Sequence, residues 1–546
     1  MKSAAGAVAL YAALSLATAL AWEPAHDEGT TWDQAVAHLP LAVGEPVAIE
    51  RLYALASGEG AHGAREVLAA LGSADAMHPP AYYLFLNRWI PWTGGGRVLV
   101  ALPAVALGAA ALLAVRRIAA RVAPGSGDAA LWLLATSPWL VAHGVLARPY
   151  AICLAIFALA TDALLRSLAS GRARDRAVFA ALSLLGLYTL YHYAFALAWQ
   201  LALAGVHALR APREARRREL LALAASAGAI ALGFAPWLPR LAAHLEVVRG
   251  TPWYFVGPLP PGEWPRGLAT VVSAWLLGEE PGALGRPALE VALAGLGLLA
   301  LPLAARSFAG GRLAADGAAA QAFWWTAPLL PALVAAADAW QGTHTLFVAK
   351  TVFALPLLLA LAGARAVAAA PRALGRGLLA AWLAIAIAAD ASAIASAALA
   401  RSPAAALVAH LHARAAAGDL VVLSTARPTY VYPLLLALRD AGVRGVSLVY
   451  APPALLRAEG PALADRAGAR SLTLVNLDVA YDRSTMWDPP LLRAVAERAR
   501  AAGFRVERVR RPGARRRGED PPAADPADGA RRLWILSPVQ VRYFPR

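Results

Sequence analysis

The stretch Arg97 to Val115, RVLVALPAVALGAAALLAV, carries no charge after its first residue and runs directly into Arg116 and Arg117. A helix needs about 20 apolar residues to cross the hydrocarbon core of a bilayer. The stretch is therefore a membrane span with a basic pair at one end. Runs of the same kind lie near 4–21, 129–147, 150–166, 177–209, 220–239, 287–305, 318–337, 351–369 and 377–399. The run 177–209 is long enough for two short spans, which brings the expectation to about eleven crossings. The composition agrees: 59% of the 546 residues are hydrophobic and only 16% are charged, where a soluble domain carries about 25% charged residues.

The joints between the runs set the orientation. Arg116, Arg117 and Arg121 follow one run, Arg166, Arg172, Arg174 and Arg176 another, and Arg210, Arg213, Arg216, Arg217 and Arg218 a third. Arg306 with Arg312, and Arg372 with Arg376, mark two more. Basic joints face the cytoplasm, as does Lys2 at the N-terminus. The alternate joints differ. Segment 22–78 holds nine acidic residues, among them Asp27, Glu28 and Asp33, against Arg51 and Arg65, and 240–286 is rich in Trp, Pro and acid. Both are expected outside. A formal charge of +16 spread through short joints and a polar tail is the pattern of a membrane protein, not of a nucleic-acid-binding face. The single cysteine, Cys153, excludes an intramolecular disulfide and a Cys-based zinc site. Lys2 and the run to Ala21 also fit a cleavable secretory signal, the one rival reading of that segment.

Beyond residue 401 the pattern changes. Strand-like runs at Leu420 to Leu423, Val443 to Tyr450, Ser471 to Leu477, Phe504 to Val509 and Leu533 to Leu536 alternate with amphipathic stretches near 429–441, 461–468 and 490–502. That alternation predicts a small α/β domain over 401–546. No glycine-rich phosphate turn follows a strand, so nucleotide binding is not implied. With an odd number of crossings this domain lies on the side of the external loop 22–80. The fold class expected is a polytopic α-helical membrane protein, membrane domain 1–400, with a soluble C-terminal α/β domain.

Several polar elements sit at the outer ends of the spans. Asp27-Glu28 follows the first span, and a carboxylate beside low-dielectric walls suits a general base. The loop ends in His78-Pro79-Pro80-Ala81-Tyr82-Tyr83, where prolines fix the chain and tyrosines suit the interface. Arg148-Pro149-Tyr150 places a lone arginine where it can hold a phosphate. Tyr191-His192-Tyr193 and the stretch from His344 to Lys350 complete the set. Singly, each also reads as an anchor, a snorkelling cation or a structural histidine.

Their order resembles the GT-C glycosyltransferases, most closely the branch of the protein O-mannosyltransferases and the lipid A aminoarabinose transferase. The resemblance covers roughly residues 1–400 and is strongest over 1–200. It implies a sugar donor carried on a polyprenyl phosphate and used at the outer face of a bacterial inner (cytoplasmic) membrane, with an unidentified extracytoplasmic acceptor. It implies Asp27 as catalytic base, with Glu28 beside it, and inversion at the anomeric carbon. His78, Tyr82, Tyr83, Arg148, Tyr150 and Lys350 would attend the donor phosphate and lipid. Tyr191, His192, Tyr193 and His344 would contact substrate. Lysine at 350 stands where relatives are expected to have arginine, a point charge in place of a planar fork. No cofactor is required, although Asp27 with Glu28 could hold a divalent cation. Two other classes compete: a transporter or flippase of lipid-linked glycans, which calls for ionisable residues at mid-membrane, and a non-catalytic membrane scaffold.

Overall fold

Long apolar runs in a chain that must satisfy every backbone group inside lipid leave the α-helix as the available element. A computed structural model gives that result; it describes residues 2–21, 26–73, 78–249, 317–342, 350–399, 403–414, 419–424, 431–459, 471–479, 489–509 and 532–541, with scattered positions within 272–308 and at 348, 462 and 463. In chain order the first half contains α1 (Lys2–Ala21), α2 (His26–Ala35), β1 (Pro46–Ala48), α3 (Ile49–Ala56), α4 (Ala64–Ser73), α5 (Ala81–Thr93), α6 (Arg97–Val122), α7 (Gly127–Ala135), α8 (Pro138–His143), α9 (Tyr150–Ser170), α10 (Ala173–Thr189), α11 (Tyr193–Arg210), α12 (Arg213–Phe234) and α13 (Leu238–Arg249). The second half contains α14 (Ala318–Thr326), α15 (Leu329–Gln341), α16 (Leu355–Ala369), α17 (Arg372–Leu399) and α18 (Pro403–Arg414). It continues with β2 (Asp419–Ser424), α19 (Val431–Asp440), β3 (Val446–Tyr450), α20 (Pro453–Glu459), β4 (Ser471–Val479), α21 (Pro489–Ala501), β5 (Arg505–Val509) and β6 (Arg532–Val541).

Among the described residues, six helical stretches are long and apolar enough to cross a membrane: Ser3–Ala21, Arg97–Val122, Tyr150–Ser170, Arg213–Glu246, Ala318–Gln341 and Arg372–Ala398. The long run 177–209 divides into α10 and α11 at Leu190–His192, as its length suggested. The run 129–147 does not form one helix. It breaks between α7 and α8 at Thr136-Ser137-Pro138, because Pro138 has no amide to continue the ladder and is tolerated only in a first helical turn. The run 287–305 lies almost wholly outside the described residues. Most side chains of α9 are buried, whereas in α12 only Ile230 and Phe234 are. α9 is therefore the centre of the bundle, packed between α6 and α10.

At one end of the bundle stands a six-stranded sheet of order β1-β3-β2-β4-β6-β5. The pairs β2–β3, β2–β4, β4–β6 and β5–β6 are parallel. The helix expected over 461–468 falls mostly outside the described residues, and α20 precedes it. β1 was not expected. It comes from the first loop and pairs antiparallel with β3, Val47 opposite Leu448. Alternation along β2 sends Leu420 and Val422 to the face covered by α20 and α21. Val421 and Leu423 point the other way, into one continuous apolar core with α19, Trp32, Ile49 and Leu52. The loop and the sheet thus share a core.

Candidate functional site

The site grows from the turn between α8 and α9. Gly144 lets that turn begin tightly: a Cβ there would stand 2.8 Å from Leu140 O and from the Tyr11 hydroxyl. Pro149 caps α9, so Arg148 and Tyr150 sit at the N-terminal end of the central helix, the end that favours anions.

Two elements of the first loop close over this turn. Glu28 on α2 accepts a hydrogen bond from the Ala147 amide at 2.7 Å. The Arg148 guanidinium donates to Thr31 Oγ1, one turn further along α2, and to the Tyr83 hydroxyl of α5, each at 3.1 Å. Glu28, Thr31, Tyr83 and Arg148 are all buried. The Tyr83 ring lies 5.7 Å from that of His78 and 5.8 Å from that of Tyr82. Burial, with the Glu28 charge nearby, raises the Tyr82 phenol well above its ordinary range. Tyr82 therefore keeps its phenolic hydrogen at neutral pH.

On the other side, Lys350 Nζ stands 5.8 Å over the Tyr150 ring, within reach of a cation–π attraction. Tyr150 meets His143 edge to face at 5.7 Å, and His143 stacks on Trp139 at 4.3 Å. Glu28, His78, Tyr82, Tyr83, Arg148, Tyr150 and Lys350 are thus brought to one place, from parts of the chain more than 300 residues apart. Asp27 lies in the first turn of α2, one residue before Glu28.

The Tyr-His-Tyr cluster does not act as a unit. Tyr193 points into the core and stacks on Phe353 at 6.1 Å, three residues from Lys350. Tyr191 turns toward α13: its hydroxyl accepts from Trp237 Nε1 at 2.8 Å and bonds His244 Nδ1 at 2.8 Å. His192 lies beside Phe195, at 6.4 Å between rings. His344 lies outside the described residues. Among the described residues no three His, Cys, Asp or Glu side chains gather as metal ligands, and the Asp27 side chain is not among those described.

Three features escaped the sequence reading. Thr31 and His143 join the site with no motif around them. At the far end of α9, the buried Asp162 carboxylate takes Arg117 Nε at 2.9 Å, Arg121 at 2.7 Å and Arg166 at 2.6 Å. The i,i+4 spacing of Asp162 and Arg166 was the available signal for part of this lock. The third is a small network beside α2. His38 Nδ1 bonds Asp33 at 3.0 Å, and the His38 amide donates to His62 Nε2 at 3.1 Å. The Asp33 bond raises His38 above its ordinary value, while burial and then the His38 charge lower His62.

No known sequence family matches the chain, and no curated protein matches it by sequence. The fold is similar to that of two solved proteins. One is the Archaeoglobus fulgidus oligosaccharyltransferase, in complex with Zn and sulfate (TM-score 0.45, 11% identity, 84% of this chain and 66% of that one). The other is ArnT from Cupriavidus metallidurans bound to undecaprenyl phosphate (TM-score 0.47, 13% identity, 82% of this chain and 85% of that one). ArnT in the apo state gives a TM-score of 0.39 at 14% identity over 75% of this chain and 82% of that one. The likeness is a loose one of fold, and the chain spans only 66% of the oligosaccharyltransferase.

Proposed function

We propose that this chain is a membrane glycosyltransferase that moves a sugar from a polyprenyl-phosphate donor to an extracytoplasmic acceptor. The supporting observation is the buried gathering of Arg148, Tyr83, Thr31 and Glu28 at the N-terminal end of α9, with Lys350 across Tyr150. In this reading the chain makes about eleven crossings of the inner membrane. Its basic joints are cytoplasmic and the loop 22–80 and the domain 401–546 are outside.

The chemistry divides the residues. The acceptor oxygen or nitrogen bonds to the anomeric carbon as the anomeric C–O bond to phosphate breaks. The acceptor proton passes to Asp27, and the phosphate diester leaves as a monoester with one more negative charge. Arg148, the α9 N-terminus and Lys350 stabilise that growing charge more in the transition state than in the bound donor. The Thr31 and Tyr83 hydroxyls help hold the Arg148 guanidinium in place. Glu28 has one carboxylate oxygen on the Ala147 amide, so its role is to fix the turn that presents Arg148, and Asp27 is the base. Attack from the face opposite the leaving phosphate inverts the anomeric carbon. No cofactor is required; a divalent cation, if the reaction uses one, would bind at Asp27 and Glu28.

The test puts purified protein in lipid nanodiscs with a panel of sugar-loaded polyprenyl phosphates and a membrane extract as acceptor source, and reads release of free polyprenyl phosphate. Wild type should release it, and Asp27→Asn should be slower by about 10²–10⁴-fold, the usual worth of a general base. Equal release by both would remove Asp27 as base. No release from folded protein with any donor would sink the transferase reading.

A further inference from the structure

Helix α19 of the α/β domain reaches the ends of α2, α3 and α5. Tyr432, in the first turn of α19 and fully buried, donates its hydroxyl hydrogen to the carbonyl of Ala37, two residues past the end of α2. Two turns on, about 10 Å along the axis, the Arg439 guanidinium reaches three acceptors. They are Ser57 Oγ at 3.2 Å, just past α3, and the carbonyls of Gly94 at 3.2 Å and Gly95 at 2.9 Å, just past α5. Both glycines have positive φ, 72° and 69°, which only glycine adopts at little cost. A Cβ on Gly95 would also come within 3.2 Å of the Ala56 carbonyl. The end of α5 is therefore shaped to offer two carbonyls to a single arginine fork.

The same surface is tied at three further points. Arg97 bonds Asp440 at 2.9 Å, the Gly445 amide donates to Glu50 at 2.7 Å, and β1 completes the sheet edge on β3. Between α2 and α5 themselves stands one amide: Asn87 Nδ2 donates to the carbonyls of Ala35 and His62 at 2.8 and 2.7 Å. α2 carries Glu28 and Thr31, and α5 carries Tyr82 and Tyr83.

We propose that α19 is a strut that sets the spacing of α2 and α5, with Tyr432 and Arg439 as positioning residues for the site between them. The inference rests on the functional reading above in that it concerns the same site. The C-terminal domain then acts by holding the first loop in register. Arg148 can bridge Thr31 and Tyr83 only when those two helices stand at one separation, and a displacement near 1 Å at a reacting centre costs up to about 10²-fold in rate.

The experiment uses the full chain in nanodiscs and compares wild type with Tyr432→Phe, Arg439→Gln and Arg439→Lys. Arg498→Gln serves as control, because Arg498 bonds the Ala458 carbonyl within the α/β domain and away from the loop. Two readouts are taken: donor kcat and KM, and amide hydrogen exchange over 26–38 and 81–95. Tyr432→Phe and Arg439→Gln should each lower kcat by about ten-fold with KM changed less than two-fold. Exchange should quicken in both segments and stay unchanged in β2 and β4. Arg439→Lys, which reaches one carbonyl but not the full fork, should recover part of kcat. The control should match wild type. Unchanged exchange in the two segments would overturn the proposal, as would unchanged kcat despite faster exchange. Should wild type release no polyprenyl phosphate, the transferase reading fails separately. The strut then stands on local exchange in 26–38 and 81–95 and falls if there is none.

Discussion

The two ends of α9 solve the burial of charge differently. At Tyr150 the arginine donates to two hydroxyls and the carboxylate accepts from a backbone amide, at the helix end that favours an added anion. At Asp162 three guanidiniums converge on one carboxylate, and charge is balanced within the cluster. Breaking a buried pair strands the remaining charge, which is why such locks belong to stability. In the proposed function Arg148, at the helix end that favours anions, faces the donor phosphate. Residue type does not separate the two positions; their surroundings do.

The sharpest test of that contrast is Arg148→Lys. A lysine cannot bridge Thr31 and Tyr83, so turnover should fall by about 10²–10³-fold while the thermal midpoint barely moves. A large drop in midpoint with proportionate loss of folded protein would put Arg148 in the same structural class as the Asp162 cluster.

At the other end, Asp162→Asn should cost about 2 kcal/mol of stability. This lies below the usual penalty for breaking a buried pair because the three arginines are each about a third or more exposed and water partly screens them. Specific activity of the folded fraction should be unchanged. Loss of activity without loss of stability would erase the distinction between the two ends.

A third substitution probes the wall behind the site. Gly186 lies where a Cβ would be 2.5 Å from the Tyr193 ring, which stacks on Phe353. Gly186→Ala should destabilise by about 1–3 kcal/mol through overpacking, visible as a lowered thermal midpoint. An unchanged midpoint would mean that Tyr193 can move aside.

The smallest effect is the pH response of the His38–His62 network. The folded value of His38 is raised, so its contribution is complete below about 6.5, the ordinary histidine value, and is lost as pH rises through the folded value. The folded value of His62 is lowered, so its contribution is present above about 6.5 and is lost as pH falls through the folded value. The main cause is burial, followed by the charge on His38. The two trends oppose each other, and His38 is 54% exposed, so stability of the loop near neutral pH should be nearly flat. His62→Gln should leave a stability that falls with rising pH. A profile unchanged by that substitution would remove the network from the loop's stability.

Much of this was legible in the chain. Spans were readable because lipid leaves the backbone one solution, and the α/β alternation because strand and helix periods differ. Asp27-Glu28, His78-Pro79-Pro80, Tyr82-Tyr83 and Arg148-Pro149-Tyr150 were readable because polar groups at span ends stand out against an apolar background. Thr31 was not, since a threonine in a loop helix has no signature. β1 was not, because three residues of extended chain carry no period. The Tyr191-His192-Tyr193 cluster misled in one respect. Consecutive residues where α10 gives way to α11 point in different directions, and only Tyr193 reaches the wall of the site.

By itself the amino-acid order determined the apolar stretches that form the six long apolar helices among the described residues, the alternation of basic and acidic joints and the strands β2 to β6, because each depends on composition within a window of a few to about 20 residues. The tertiary structure alone decided which carboxylate meets which amide, that the first loop lends the sheet an edge strand, and that Tyr432 reaches back 395 residues to the end of α2 and Arg439 344 residues to the end of α5. Those pairings depend on distances between chain segments far apart in order, and such distances arise only when apolar faces have packed and left each polar group one partner within reach.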